Sequence, residues 1–176
     1  MKRITLTLLA LAVTLLPMSS ALGQDGQQSF GFNAPLIHGF PTGAAFLTGG
    51  GVYNLDEDFL KTGGGFRCLE TVNQGPLAGC QAGEGIRWDA KEGETQLLDC
   101  FTFKCTGAAT EQAKTACTDD NTVVMLADFY RQGDGVDESF VAHMFVSEED
   151  EAPDLPGIQN AWIEGVGCGE AIANFN

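Results

Sequence analysis

Basic side chains are scarce in this sequence. Nine lysines and arginines stand against 24 aspartates and glutamates in 176 residues, a formal charge of −15. Phosphate recognition needs a cationic surface, so the composition argues against a nucleic-acid partner and against adhesion to an anionic membrane. Histidine is scarcer still: only His38 and His143 occur. Neither lies beside a cysteine pair and there is no Cys-x-x-Cys, which removes the usual grounds for structural zinc. A Gly-x-Ser-x-Gly nucleophile elbow is also missing. Helix-like composition is confined to residues 108–117. Past residue 16 no run is long and apolar enough to cross a bilayer as a helix, so stable membrane insertion is not expected.

The first residues are themselves informative. Lys2 and Arg3 precede an apolar stretch at 4–16, and Ala21, Leu22 and Gly23 form a small-x-small cleavage signature. This is the pattern of a secretory signal peptide over residues 1–23. Removing the first 23 of 176 residues leaves 153 and, with Lys2 and Arg3 gone, moves the charge from −15 to −17. The chain is therefore expected to be secreted or periplasmic and soluble. All six cysteines come after the signal: Cys68, Cys80, Cys100, Cys105, Cys117 and Cys168. An even number in an exported chain points to disulfides. Connectivity stays open, except that Cys100 and Cys105 have opposite parity on one predicted strand and point apart.

Strand signals dominate the rest. The strongest spans residues 121–147, read as a long hairpin with arms at 122–131 and 139–147. One face of it collects Val123, Met125, Ala127 and Phe129 with Phe140, Ala142, Met144 and Val146. These lack polar atoms other than thioethers and are assigned to the buried side. The other face carries Leu126, Asp128, Tyr130, Val141, His143 and Phe145. It joins an apolar body to a carboxylate, a phenol and an imidazole, and it is the candidate ligand-binding surface. Asp128 and His143 lie directly opposite or diagonal depending on register, which makes them the candidate acid–base pair. The alternative is a second sheet packed on this face.

A weak duplication precedes the hairpin. Residues 46–53 and 59–67 each contain Phe, Leu and a run of three glycines around a turn-prone 54–58. Folded antiparallel, the two glycine runs face each other, as tight coiling of a small barrel or a sandwich corner requires. No strand-loop-helix context supports reading them as a phosphate cradle. Residues 29–33 are expected to form a short strand. Pro35, Gly39, Pro41 and Gly43 are expected to break residues 34–43 into loop, with His38 on its surface. Trp88 is expected at a core edge with its N–H on an acceptor.

The expected architecture is all-β: a single disulfide-stapled antiparallel β-sandwich or small β-barrel of about seven to nine strands, with at most one short helix near 108–117. Residues 24–43 would be an extended N-terminal lead-in and 44–176 one β domain. No cofactor or metal is expected. Asp134, Asp137 and Glu138 crowd one loop, but they lack EF-hand spacing and read as solvated charge rather than a calcium site. The functional expectation is non-catalytic binding of a small ligand, glycan or protein partner. A secreted hydrolase or isomerase using Asp128 and His143 is the alternative, and a structural or cell-surface protein without a small-molecule ligand is the second.

Overall fold

The computed structural model describes residues 26–39, 43–91, 97–131 and 139–176. Among these the chain forms eleven strands and no helix: β1 (Gln27–Gly39), β2 (Ala44–Asn54), β3 (Phe59–Glu70), β4 (Arg87–Ala90), β5 (Cys100–Phe103), β6 (Lys114–Cys117), β7 (Thr122–Tyr130), β8 (Ser139–Ser147), β9 (Ala161–Ile163), β10 (Gly167–Gly169) and β11 (Ile172–Phe175). The predicted signal peptide and the loop carboxylates Asp134, Asp137 and Glu138 lie outside the described residues.

Eight strands succeed one another around a ring in the order β1, β2, β3, β4, β7, β8, β9, β10. Every neighbouring pair is antiparallel. β10 returns to β1 through His38 opposite Cys168 and Gly39 opposite Gly167, which closes the ring. Beyond that seam β11 takes over as β1's partner, from Phe30 opposite Phe175 to Asn33 opposite Ile172. The far flank of this last segment is met by side chains at its two ends, at Ala171 just before β11 and at Phe175. Asn160 Oδ1 accepts the Ala171 N–H at 2.7 Å, its Nδ2 donates to the Ala171 carbonyl at 3.0 Å, and Glu148 Oε1 accepts the Phe175 N–H at 2.9 Å. β5 and β6 leave the ring between β4 and β7 as a separate two-stranded sheet.

Alternation along the long strands decides what fills the ring. In β7 and β8 the pairs Val123–Val146, Met125–Met144, Ala127–Ala142 and Phe129–Phe140 are the register partners, and all eight are buried, as the sequence pattern requires. They join Phe30, Phe32, Leu47, Tyr53, Phe66 and Trp88 in one continuous apolar cluster. Eight strands give an interior about wide enough for side chains to fill, and here aromatic rings fill it. Each buried aromatic or large aliphatic side chain contributes roughly 1.5–3 kcal/mol relative to exposure.

The paired glycine runs make room for this packing. Gly49 stands opposite Gly64 and Gly50 opposite Gly63. A Cβ on Gly49 would come within 2.6 Å of Trp88 Cζ2 and 2.7 Å of the Gly63 carbonyl oxygen. Trp88 thus lies on bare backbone, and its Nε1–H donates to the Thr48 carbonyl at 3.0 Å. It is 1 % exposed, in the core rather than at its edge.

The all-β architecture is as expected. The main sheet has nine strands, the upper end of the expected range, and β5–β6 add a pair beyond it because they form a sheet of their own. Two local expectations are corrected. Of the segment expected as loop, residues 34–39 are strand, and residues 40–42 lie outside the described residues. A register shift between Ala34 and Ile37 absorbs Pro35, whose missing N–H is tolerated at a bulge. Residues 114–117 are strand rather than helix. β6 pairs residue by residue with β5 and is tied to it by the Cys100–Cys117 disulfide, and the Glu111 carboxylate accepts the Cys105 and Thr106 N–H groups at 2.7 and 2.8 Å. Tertiary pairing overrides helix-forming composition there. The cysteines pair as Cys68–Cys80, Cys100–Cys117 and Cys105–Cys168, with none free, in keeping with an oxidising extracellular environment.

Candidate functional site on the outer barrel wall

The mixed face of β7 and β8 looks outward, away from the filled interior, and it divides into three parts. At the lower end Val124 and Phe145 are fully buried, because the β5–β6 sheet packs over them. Phe103, Phe145 and Trp162 form the centre of this second core, with ring centroids 4.7–5.9 Å apart. The overlying sheet is pinned by the Trp162 Nε1–H bond to the Lys104 carbonyl at 3.0 Å and by the Cys105–Cys168 disulfide into β10. Here Phe145 is core, not ligand surface.

At the middle the sheet ends over His143. The imidazole stacks on Phe101 with centroids 4.1 Å apart and planes 20° from parallel. Its Nδ1 lies 2.7 Å from Glu164 Oε2, which also accepts the His143 backbone N–H at 3.3 Å. The two contacts to one carboxylate oxygen fix the orientation of the imidazole and leave Nε2 on the side away from Glu164. Leu126, half-buried, is the register partner of His143.

At the upper end the wall is polar. Asp128 faces Val141 on β8 and Asp89 on β4. Its Oδ2 is 3.5 Å from Lys91 Nζ; its Oδ1 is buried and has no hydrogen-bond partner among the described residues. Tyr130 Oη–H donates to Asp89 Oδ1 at 3.2 Å. Burial first, then the Asp89 and Asp128 charges, hold the phenol above its ordinary pKa, so it stays a donor. Val141 is exposed.

Asp128 and His143 are therefore diagonal, and each has another charged partner. The carboxylate that serves His143 is Glu164, in the turn after β9. Sequence reasoning misses it because β9 is only three residues long and its pairing with β8 has no period-two signature to read. Phe101 reads as a strand residue, but nothing local ties it to His143, 42 positions downstream.

Beside the His143–Glu164 pair runs a groove of about 390 Å³. Phe101, Phe103 and Trp162 form its apolar wall, Glu164 and Lys104 its polar margins, and Pro76 its far side. The arrangement offers a planar apolar surface beside a carboxylate that keeps one oxygen free of His143. No hydroxyl or thiol among the described residues hydrogen-bonds this imidazole. Among the described residues no cluster of three or more His, Cys, Asp or Glu side chains is arranged to hold a metal ion, and no helix is long and apolar enough to cross a membrane. No family model, curated protein or solved structure matches this chain.

Proposed function

We propose that this is an exported, non-catalytic binding domain that takes a small apolar ligand on its outer wall, in the groove formed by Phe101, Trp162, Pro76 and Glu164. The observation that carries this reading is the filled interior. Barrels of this strand number that carry ligands hold them inside. Here Trp88, Phe129, Phe66 and Tyr53 occupy that space, so the apolar concavity is displaced to the margin of the outer sheet. The ligand chemistry that suits it is a flat or short apolar body with one hydrogen-bond donor directed at Glu164.

A fragment screen read by tryptophan fluorescence and by amide chemical shifts tests it. Bound fragments are expected to shift Phe101, Trp162 and Glu164 resonances. Phe101→Ala is expected to weaken binding by roughly tenfold, the loss of one aromatic contact. Glu164→Gln is expected to weaken donor-bearing fragments more than donor-free ones. His143→Ala should leave binding nearly intact and cost about 0.2–1 kcal/mol of stability, since the pair is partly exposed. Fragments that bind with no dependence on Phe101 or Glu164 would remove the groove from consideration.

A further inference from the structure

The cations of this acidic chain are not spread evenly. Seven lysines and arginines come after residue 23. Four of them, Lys61, Arg67, Arg87 and Lys91, lie on β3, on β4 or directly after it. On these strands Leu60, Phe66, Cys68, Trp88 and Ala90 are buried, and alternation turns the cations outward. Lys91 pairs with Asp128, Lys114 with Glu111 and Asp154, and Arg131 with Glu84. Lys61, Arg67 and Arg87, and away from this face Lys104, make no ion pair among the described residues, although acidic side chains outnumber basic ones 24 to 9.

Geometry keeps two of these guanidiniums available. Arg87 lies over the Tyr130 ring, 4.5 Å from its centroid. It is held by an aromatic face rather than by a counter-charge, which leaves its N–H fork free. Arg67 stands opposite Phe46 on β2, and Arg87 opposite Gly65 on β3. Beside Arg67 lies a groove of about 290 Å³ lined by Phe46, Gly65, Phe66, Arg67, Leu69 and Ile86, with Arg87 next along the chain from Ile86. Leu69 and Ile86 are 41 % and 57 % exposed. Exposed apolar side chains gathered beside unpaired guanidiniums mark a contact surface.

We infer that this face of β2, β3 and β4 binds a small amphiphilic anion: an aromatic or short aliphatic body between Phe46, Leu69 and Ile86, with its carboxylate or sulfonate on Arg67 and with Arg87, on the neighbouring strand, adding to the positive potential. Charge complementarity selects the head group, because the guanidinium fork can donate two parallel N–H bonds to the two oxygens of a carboxylate or to two of the three oxygens of a sulfonate. Groove size selects the body, about that of a two-ring aromatic. The acidic turn at the other end of β3 does not cancel the attraction. Nine residues of strand from Asp58 to Arg67 span roughly 30 Å, several times the ~8 Å screening length at physiological ionic strength. Of the nearer carboxylates, Asp89 is bonded by Tyr130 and Glu84 by Arg131 and the Gln81 N–H, while Glu70 ends β3.

The test titrates the full chain with naphthalene-1-sulfonate, and with 1-naphthylmethylammonium as the matched cation, read by amide chemical shifts. The sulfonate is expected to saturate one site that moves Gly65, Arg67, Leu69 and Ile86, to bind at least tenfold tighter than the cation, and to weaken as salt rises. Arg67→Gln with Arg87→Gln is expected to cut its affinity at least tenfold with the thermal melt unchanged. Ile86→Glu, which keeps both arginines, should do the same and serves if the double variant is unstable. Phe101→Ala should leave sulfonate binding intact, which separates this site from the groove beside Trp162. Equal affinity for the two probes, or binding that survives all three arginine and isoleucine changes, overturns the inference. So does a salt-sensitive dimer in sedimentation that the arginine substitutions dissolve, since it would give the face to a second copy of the chain.

Discussion

The molecule has two apolar cores that are built differently. The one inside the ring draws on β1 to β4 and β7 to β9, with Ala173 and Phe175 of β11 packed against it, and is held by strand pairing around the ring. The one outside is a cluster of eight buried residues between the barrel wall and a two-stranded sheet, and two of the three disulfides cross-link that sheet to itself and to β10. A large closed surface buries enough to stand by itself, whereas a small sheet of two four-residue strands does not. The placement of covalent links reflects that difference: staples go where packing alone is insufficient.

The difference sets an order of effects. Trp88→Ala removes the largest side chain from the inner core and should cost about 3–5 kcal/mol in a global denaturant transition. A smaller loss would mean that the glycine-lined wall collapses into the space. Replacing Cys105 and Cys168 by serine opens a link closing 63 residues of separation, worth about 4 kcal/mol by chain entropy if the outer sheet and the barrel unfold together. The expected outcome is instead local. Amide exchange at Phe101, Phe103 and Thr115 should accelerate by roughly two orders of magnitude while β7 keeps its protection. Uniform acceleration would merge the two cores into one cooperative unit.

Acid should separate them as well. Burial by itself would raise the Glu111 carboxyl, but the hydrogen bonds from the Thr106 hydroxyl and the Cys105 and Thr106 N–H groups, with the Lys114 charge, outweigh it and hold the group below its ordinary pKa. A carboxyl lowered in the folded state contributes stability above its unfolded pKa of about 4.3 and loses it as pH falls through the folded value. Glu151 behaves oppositely. Burial raises it, with Asp119 and Glu149 adding to the effect against hydrogen bonds from Ser147 and Thr122. Its contribution is present at low pH and is lost as pH rises through its raised folded value. Lowering the pH from about 5 toward about 3 should therefore loosen the outer sheet, visible in near-ultraviolet signals of Phe101, Phe103 and Trp162, before the barrel yields. Glu111→Gln should weaken that sheet at neutral pH and flatten the acid response.

The smallest expected effect falls outside both cores, at the polar upper end of the wall. Asp128 has one buried oxygen without a hydrogen-bond partner among the described residues and a 3.5 Å contact to Lys91 on the other. Leaving a buried acceptor unpaired costs free energy that a neutral side chain partly avoids. Asp128→Asn should melt at the same temperature as the parent or slightly above it. A fall of several degrees would mean that the Lys91 contact is worth more than its geometry indicates.

Much of the inner core is legible in the sequence and little of the outer one. Val123 to Phe129 and Phe140 to Val146 alternate so cleanly that parity alone identifies the buried set, and the two glycine runs announce their own pairing. Both signals are local or nearly so. The outer core depends on Phe103, Phe145 and Trp162, three residues from three strands whose meeting is decided by where a short sheet folds back, and no periodicity records that. The mixed face of β7 and β8 stands out in the sequence for the right reason, its combination of polar and apolar groups. Its partners, and hence the exchange of Asp128 for Glu164 beside His143, depend on β9, too short to register. Residues 108–117 mislead because alanine, lysine, glutamate and glutamine favour helices only where no competing pairing exists, and here Cys117 is bonded to Cys100.

The side chains that meet β11 at its two ends have a consequence for life at high concentration. An exposed row of backbone donors and acceptors invites another molecule's strand, and from there growth into ordered aggregates. Ring closure removes much of that row from eight strands, and the Asn160 amide at Ala171 and the Glu148 carboxylate at Phe175 occupy part of it at the two ends of the ninth. Polar bonds at Ala171, just before β11, and at Phe175, its last residue, thus leave another molecule's strand fewer free groups to pair with at either end of that edge.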